Sequence, residues 1–232
     1  MNLFEKIKRK WVKLRLQPIR VFCLHQVSDV FDENSMYRGD WMKTDDFKHA
    51  IEKLQKEGYI FISLKETYDH INNDWIRCSK YVALTADDGW ASIRNILPWL
   101  NEQKIPITLF INPAYMDGKH FRERDTEKYL TDKEIQVLNE QYPLVAIGSH
   151  GWEHIDNSKM DAVTFKENFN KAKDALTPYG AYAYFYAYPN GRYSSVTDTI
   201  LEQLKVCPLR ADGEYNINDS TQIHREYLPE CD

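Results

Sequence analysis

Short apolar runs alternate along this chain with longer segments of helical periodicity, and that alternation limits the fold more than any other feature. The β-like runs are "IRVFCLH" (19–25), "YIFISL" (59–64), "YVALTADD" (81–88), "PITLFIN" (106–112), "LVAIGSH" (144–150), "AYFYAYP" (183–189), "VCPLRAD" (206–212) and "QIHREYL" (222–228). Between them, "TDDFKHAIEKLQKEG" reads as a capped helix ended by Gly58. "ASIRNILPWLNEQK", "TDKEIQVLNEQ" and "DAVTFKENFNKAKDAL" read as three more. Near-continuous apolar strands followed by helices require a parallel sheet covered on its faces, and seven or eight of them in one domain favour a barrel over an open sheet.

A chain of 232 residues, 43 % hydrophobic, is long enough to bury one substantial core. No segment approaches the roughly 18 uninterrupted apolar residues that span a bilayer. The N-terminus "MNLFEKIKRKWVKLRLQPIR" lacks the apolar stretch and cleavage site of a secretory leader, so the expected location is cytoplasmic. Residues 1–18 place Leu3, Ile7, Trp11 and Leu14 at helical spacing among Lys6, Lys8, Arg9, Lys10, Lys13 and Arg15. This basic amphipathic helix suits either peripheral contact with an anionic membrane or packing over one end of the fold. The net charge is -5, so the remainder is acidic and would repel nucleic acid. Cys23, Cys78, Cys207 and Cys231 are scattered, arguing for neither a disulfide framework nor a zinc ribbon.

The polar residues concentrate at one place in the repeat. His25, Asp87 with Asp88, Asn112, His150 and Tyr188 each fall at or just beyond the C-terminal end of a predicted strand. In a parallel βα barrel those ends share one face, where active sites lie. Adjacent carboxylates such as Asp87 and Asp88 repel one another unless a cation or proton lies between them. His150 and His154, in "GSHGWEH", would share one face of a helical turn and could bind one divalent ion. "FYAYPNGRY" ends an aromatic strand in a Pro-Asn-Gly turn, which is an ordinary connection but could also leave a backbone N–H facing a ligand.

Together, "TADDG", "HGWEH" and "YAYPNG" resemble, in order and spacing, the three motifs of the polysaccharide deacetylases of carbohydrate esterase family four, the NodB-homology fold. "FCLHQVSD" further resembles the Tyr-His-x-Val segment of the branch that deacetylates poly-N-acetylglucosamine. The resemblance spans roughly residues 20 to 228 and implies a distorted (β/α) barrel of about seven parallel strands, with residues 19–232 as the catalytic domain. It implies that Asp88, His150 and His154 hold a metal and that Asp87 is the general base. A carboxylate with two histidines suits Zn2+ and also accepts Co2+ or Ni2+. Such an ion lowers the pKa of bound water from about 15.7 towards 7, which permits attack on an acetamide.

The same resemblance assigns the oxyanion contact to the backbone N–H of Asn190 and the proton donor to His25, with His224 as competitor. Arg225 is the favoured partner for the base, with Arg192 the alternative. Trp90, Trp152 and Tyr188 are candidate sugar-stacking residues, although packing at the rim would account for each equally well. Gly151 stands where the family carries a hydroxyl residue that steadies the loop between the histidines, which predicts lower metal affinity. The implied partner is an N-acetylated glycan or sugar intermediate. A deformylase or deacetylase of a lipid-linked sugar or small amide, and a catalytically silent carbohydrate-binding module, are the competing readings.

Overall fold

The computed structural model describes residues 18–30, 41–73, 79–121, 128–181, 184–216 and 221–228. The predicted amphipathic helix over residues 1–18 falls almost entirely outside them. Each predicted strand is present: β1 (Arg20–Leu24), β4 (Tyr59–Phe61), β5 (Lys80–Ala86), β6 (Ile107–Ile111), β7 (Val145–Ser149), β8 (Phe185–Ala187) and β9 (Cys207–Arg210). The last predicted strand is divided into β10 (Ile223–His224) and β11 (Glu226–Tyr227). A short pair, β2 (Gln26–Val27) with β3 (Trp41–Met42), stands apart. The main helices are α1 (Thr44–Lys56), α2 (Leu64–Asn73), α3 (Leu97–Glu102), α4 (Asp132–Gln141), α5 (Ala162–Leu176) and α6 (Ser195–Gln203).

All pairings in the main sheet are parallel, in the order β10-β9-β8-β7-β6-β5-β1-β11, with β4 against the start of β5. The two ends of that order are one stretch of chain. Ile223 and His224 pair with β9, and two residues later Glu226 and Tyr227 pair with β1. One segment thus changes partner at Arg225 and closes the ring, giving a barrel of seven parallel strands. A bidentate pair across the closing seam, Arg20 Nε and Nη2 donating to the two carboxylate oxygens of Glu226 at 2.7 and 2.9 Å, joins β1 to β11.

Two layers of side chains fill the molecule. Outside the barrel, Phe22, Leu24, Val82, Leu84 and Leu109 pack beneath helices, meeting Phe47, Ile51 and Leu54 of α1. Inside, Val21, Ala83, Phe110, Ala187, Leu209 and Ile223 form a separate cluster. Phe110 lies so close to β7 that a Cβ at Gly148 would sit 2.5 Å from its ring, which excludes any larger residue there. Above it the interior turns polar, with the Arg225 guanidinium 5.6 Å from the Phe110 ring centre. The barrel is therefore plugged below and chemically equipped above.

Candidate active site

The groups of the site leave the ends of several strands: Asp87 and Asp88 follow β5, His150 and His154 follow β7, His25 follows β1, and Arg225 stands between β10 and β11. β5 runs apolar to Ala86, then delivers Asp87 and Asp88, both 4 % exposed. Asp88 has φ 70° and Gly89 φ 80°, so the chain makes a left-handed turn immediately after the barrel wall. Asp tolerates that region better than most residues, and such strain is typical of functional sites. A Cβ at Gly89 would lie 2.9 Å from Ile111 Cδ1, so the turn needs glycine in both conformation and space. The consequence is that the two adjacent carboxylates point in different directions.

Asp88 Oδ1 faces two imidazoles, 3.4 Å from His150 Nε2 and 3.3 Å from His154 Nε2. His150 Nδ1 donates to the carbonyl of Ala187 at 2.8 Å, which leaves Nε2 as the lone-pair nitrogen. Ligands about 2.1 Å from a single tetrahedral ion lie about 3.4 Å apart. The observed separations match that spacing, and one carboxylate with two imidazoles is a donor set suited to a divalent ion. Asp88 Oδ2 is meanwhile held by the indole N–H of Trp90 at 2.9 Å.

Asp87 turns into the barrel. Arg225, 1 % exposed, donates Nη1 to Oδ1 and Nη2 to Oδ2, each at 2.7 Å, and Nη1 also reaches Thr85 Oγ1 at 3.1 Å. Burial opposes ionisation of Asp87, but the Arg225 guanidinium and the neighbouring imidazoles of His150 and His25 outweigh it, and its pKa is held at about 2. Oδ2 lies 4.0 Å from His150 Nε2, on the side of the candidate metal cluster. The Cys23 thiol donates to the same oxygen at 3.4 Å, and burial pushes that thiol well above its ordinary pKa. Cys23, His25 and Asp87 form a second cluster with candidate ligand atoms within 4.8 Å of one another.

The two histidines are brought together by a loop. No helical turn forms after His150, because Gly151 has φ 78°. The loop is steadied from three sides: Asn112 Nδ2 donates to the carbonyls of His150 and Gly151, Gly151 N–H to Ser149 Oγ, and Trp152 N–H to Asn168 Oδ1. A Cβ at Gly151 would meet Tyr186 Oη at 3.0 Å and Asn168 Oδ1 at 3.2 Å. Glycine thus suits this position in both conformation and space, and these hydrogen bonds hold the loop where the family carries a hydroxyl residue.

The structure also corrects the sugar-stacking assignments. Trp90 is 2 % exposed and stacks on Tyr129, so it supports Asp88 and offers no ring to a ligand. Tyr188 is fully buried under the helices, its hydroxyl donating to Asp198 Oδ1 at 2.9 Å. Trp152 is half-buried, and the Lys171 ammonium covers one face of its ring at 3.9 Å. His224 points away from Asp87: its Nδ1 meets both oxygens of Asp212 at 2.9 Å. Arg192 pairs with Asp156 at the surface. Asn190, exposed and at φ 56°, lies in the turn that follows Ala187, the residue that orients His150.

This fold and site define a parallel βα barrel with a candidate divalent-metal centre on its C-terminal rim. The chain belongs to the polysaccharide deacetylase family, whose sequence profile matches residues 76–209. Membership places it among the carbohydrate N-deacetylases. Its fold is similar to that of IcaB from Ammonifex degensii, at 20 % identity over 93 % of each chain with a TM-score of 0.79. The Streptococcus pyogenes deacetylase PplD, solved in complex with acetate, is similar at 21 % identity over 92 % of this chain and 94 % of its own, TM-score 0.78. A de-N-acetylase from Aggregatibacter actinomycetemcomitans is similar at 18 % identity over 91 % and 95 %, TM-score 0.74. No curated protein sequence matches significantly.

Proposed function

We propose that this chain removes the acetyl group from N-acetylated amino sugars of a glycan, using a zinc-class divalent ion held by Asp88, His150 and His154. One observation carries the reading. Asp88 Oδ1 and two Nε2 atoms converge at 3.4 and 3.3 Å, while the adjacent Asp87 is held apart by Arg225. Two neighbouring carboxylates thereby take two roles.

The ion, when bound, would polarise the amide carbonyl and make water acidic enough to lose a proton near neutral pH. Asp87 accepts that proton at Oδ2, the oxygen nearer His150. Arg225 fixes the plane of the carboxylate and keeps it ionised, so Asp87 is ready to accept a proton throughout the neutral range. The backbone N–H of Asn190 is the candidate donor to the developing oxyanion, since its turn begins just past Ala187. His25 hands a proton to the departing amine. It lies in the cluster with Asp87 and stacks beside Tyr227, whereas His224 is occupied by Asp212.

The test measures acetate release from N-acetylglucosamine oligomers together with metal content. The expected result is turnover abolished by chelation and restored by zinc, with Asp87→Asn keeping its metal and losing activity by about 10²- to 10⁴-fold. A metal-loaded protein that releases acetate from none of these oligomers would overturn the assignment.

A further inference from the structure

Four aromatic rings are joined by contact to the candidate metal centre. Trp90, whose indole N–H holds Asp88 Oδ2, stacks on Tyr129 with ring centres 4.5 Å apart and planes 18° from parallel. Tyr115 stacks on Tyr129 at 4.9 Å and 21°. Two rings so close and so nearly parallel to Tyr129 cannot share one face of it. Tyr129 is therefore sandwiched, in keeping with its burial. Phe121 lies beside this pile, 6.1 Å from Tyr129 and tilted by 27°, and is 44 % exposed.

The pile is rigidly mounted. Trp90 and Tyr129 form an antiparallel bridge, flanked by hydrogen bonds from Ala91 N–H to the Lys128 carbonyl and from Leu130 N–H to the Gly89 carbonyl, both 2.8 Å. The turn leading to Phe121 is folded on Asp117, whose Oδ1 accepts from the N–H groups of Lys119 and His120 at 2.8 and 2.9 Å. A single exposed phenylalanine is unremarkable on a protein surface. Here it flanks a stack whose Trp90 ring is bonded to a candidate metal ligand.

We propose that Phe121, backed by Tyr129, is a subsite that stacks against a sugar ring next to the one being deacetylated. The proposal rests on the glycan reading above and deepens it: the substrate is an oligomer whose neighbouring unit presents an apolar C–H face. Aromatic faces give large contact area with little conformational entropy to lose, and this one is ordered before the ligand arrives. The sequence candidates Trp90 and Tyr188 cannot do this because both are buried, whereas Phe121, which no motif singles out, is exposed.

The test is direct binding, which needs no turnover. N-acetylglucosamine and its β-1,4- and β-1,6-linked oligomers of two to five units are titrated calorimetrically against the zinc-loaded protein and against Phe121→Ala and Phe121→Trp. In the unaltered protein, affinity for one linkage series should rise about tenfold or more between one unit and three. That rise should vanish in Phe121→Ala and return in Phe121→Trp, with metal content equal in all three. An unchanged length dependence in Phe121→Ala, or no binding of any oligomer, overturns the subsite. Oligomer binding that requires Phe121 but yields no acetate would support the subsite and count instead against the deacetylase reading.

Discussion

Arg225 grips both oxygens of Asp87 with two 2.7 Å hydrogen bonds, although the two residues are 138 positions apart. The pair is buried, and it forms at the point where the last strand changes partner from β9 to β1. Closing the barrel and orienting the proposed base are therefore one structural event.

Arg225→Ala should leave a buried carboxylate without its counter-charge, at a cost of about 3–5 kcal/mol. Arg225→Lys keeps a charge but loses the planar fork, so it should restore part of the stability and little of the turnover. Urea unfolding with acetate-release assays would check both; an Arg225→Ala protein as stable as the parent would contradict the role assigned to the pair.

The same pair predicts a pH dependence for the metal-free protein. Asp87 has its folded pKa lowered from 3.8 to about 2, so the folded state holds the carboxylate ionised more strongly than the unfolded chain does. This contribution is fully present above about pH 4 and is lost as pH falls from there towards 2. Denaturation midpoints should fall across that window, and the drop should be smaller in Asp87→Asn. An identical slope in both proteins would assign acid sensitivity to other groups.

Trp90→Phe retains a stacking ring and removes the donor to Asp88 Oδ2. Outer-shell partners of metal ligands typically contribute 10- to 100-fold in affinity. Competition with a chelating dye should show zinc held about that much more weakly, and the unfolding midpoint should fall as well, because the smaller ring leaves a cavity at a buried position. Asp88→Asn or His154→Ala, by contrast, removes a candidate ligand outright and should abolish stoichiometric metal.

Gly151→Ser would install the residue type usual in the family, yet it should be destabilising here. The backbone sits at φ 78°, and the new Cβ would press on Tyr186 Oη at 3.0 Å. A cost of about 1–3 kcal/mol is expected from the left-handed conformation alone. Adding Tyr186→Phe should relieve the steric part and also sacrifice the bond from the Tyr186 hydroxyl to Asn157 Oδ1, so the double-mutant cycle should depart from additivity. Thermal denaturation of the four proteins would decide it, and strict additivity would separate the two sites.

His25→Ala and His224→Ala distinguish the proton donors. His25 lies beside Asp87, whereas His224 faces Asp212, so the first change should lower turnover by about 10²-fold or more and the second should leave it near parental. The reverse pattern in steady-state rates would transfer the role to His224.

The order of strands and most helices was legible because it depends on local pattern. Strands buried on both faces must be continuously apolar, and every such run in the chain became a strand. α2 and α6 were not legible: "LKETYDHINN" offers Leu64, Thr67 and Ile71 as its buried residues, and "SVTDTILEQ" is rich in β-branched residues that read equally well as extended. The grouping of Asp87, Asp88, His150 and His154 at one rim followed from their places at strand ends, since a parallel barrel collects those ends on one face. Their convergence within 3.4 Å depended on left-handed turns at Asp88 and Gly151 that residue spacing does not encode.

Side-chain direction was decided by tertiary structure alone. Both faces of a barrel strand are buried, so alternation carries no signal for inside or outside: Phe185 and Ala187 entered the barrel cluster, and Tyr186 and Tyr188 went under the helices. The choice of Arg225 over Arg192, the inward turn of Trp90 and the outward reach of Phe121 are of the same kind. Each depends on which distant strand or loop lies opposite, and that is set only when residues 223–227 close the ring. Local sequence determined which groups would stand at the rim; closure of the barrel decided which of them meet.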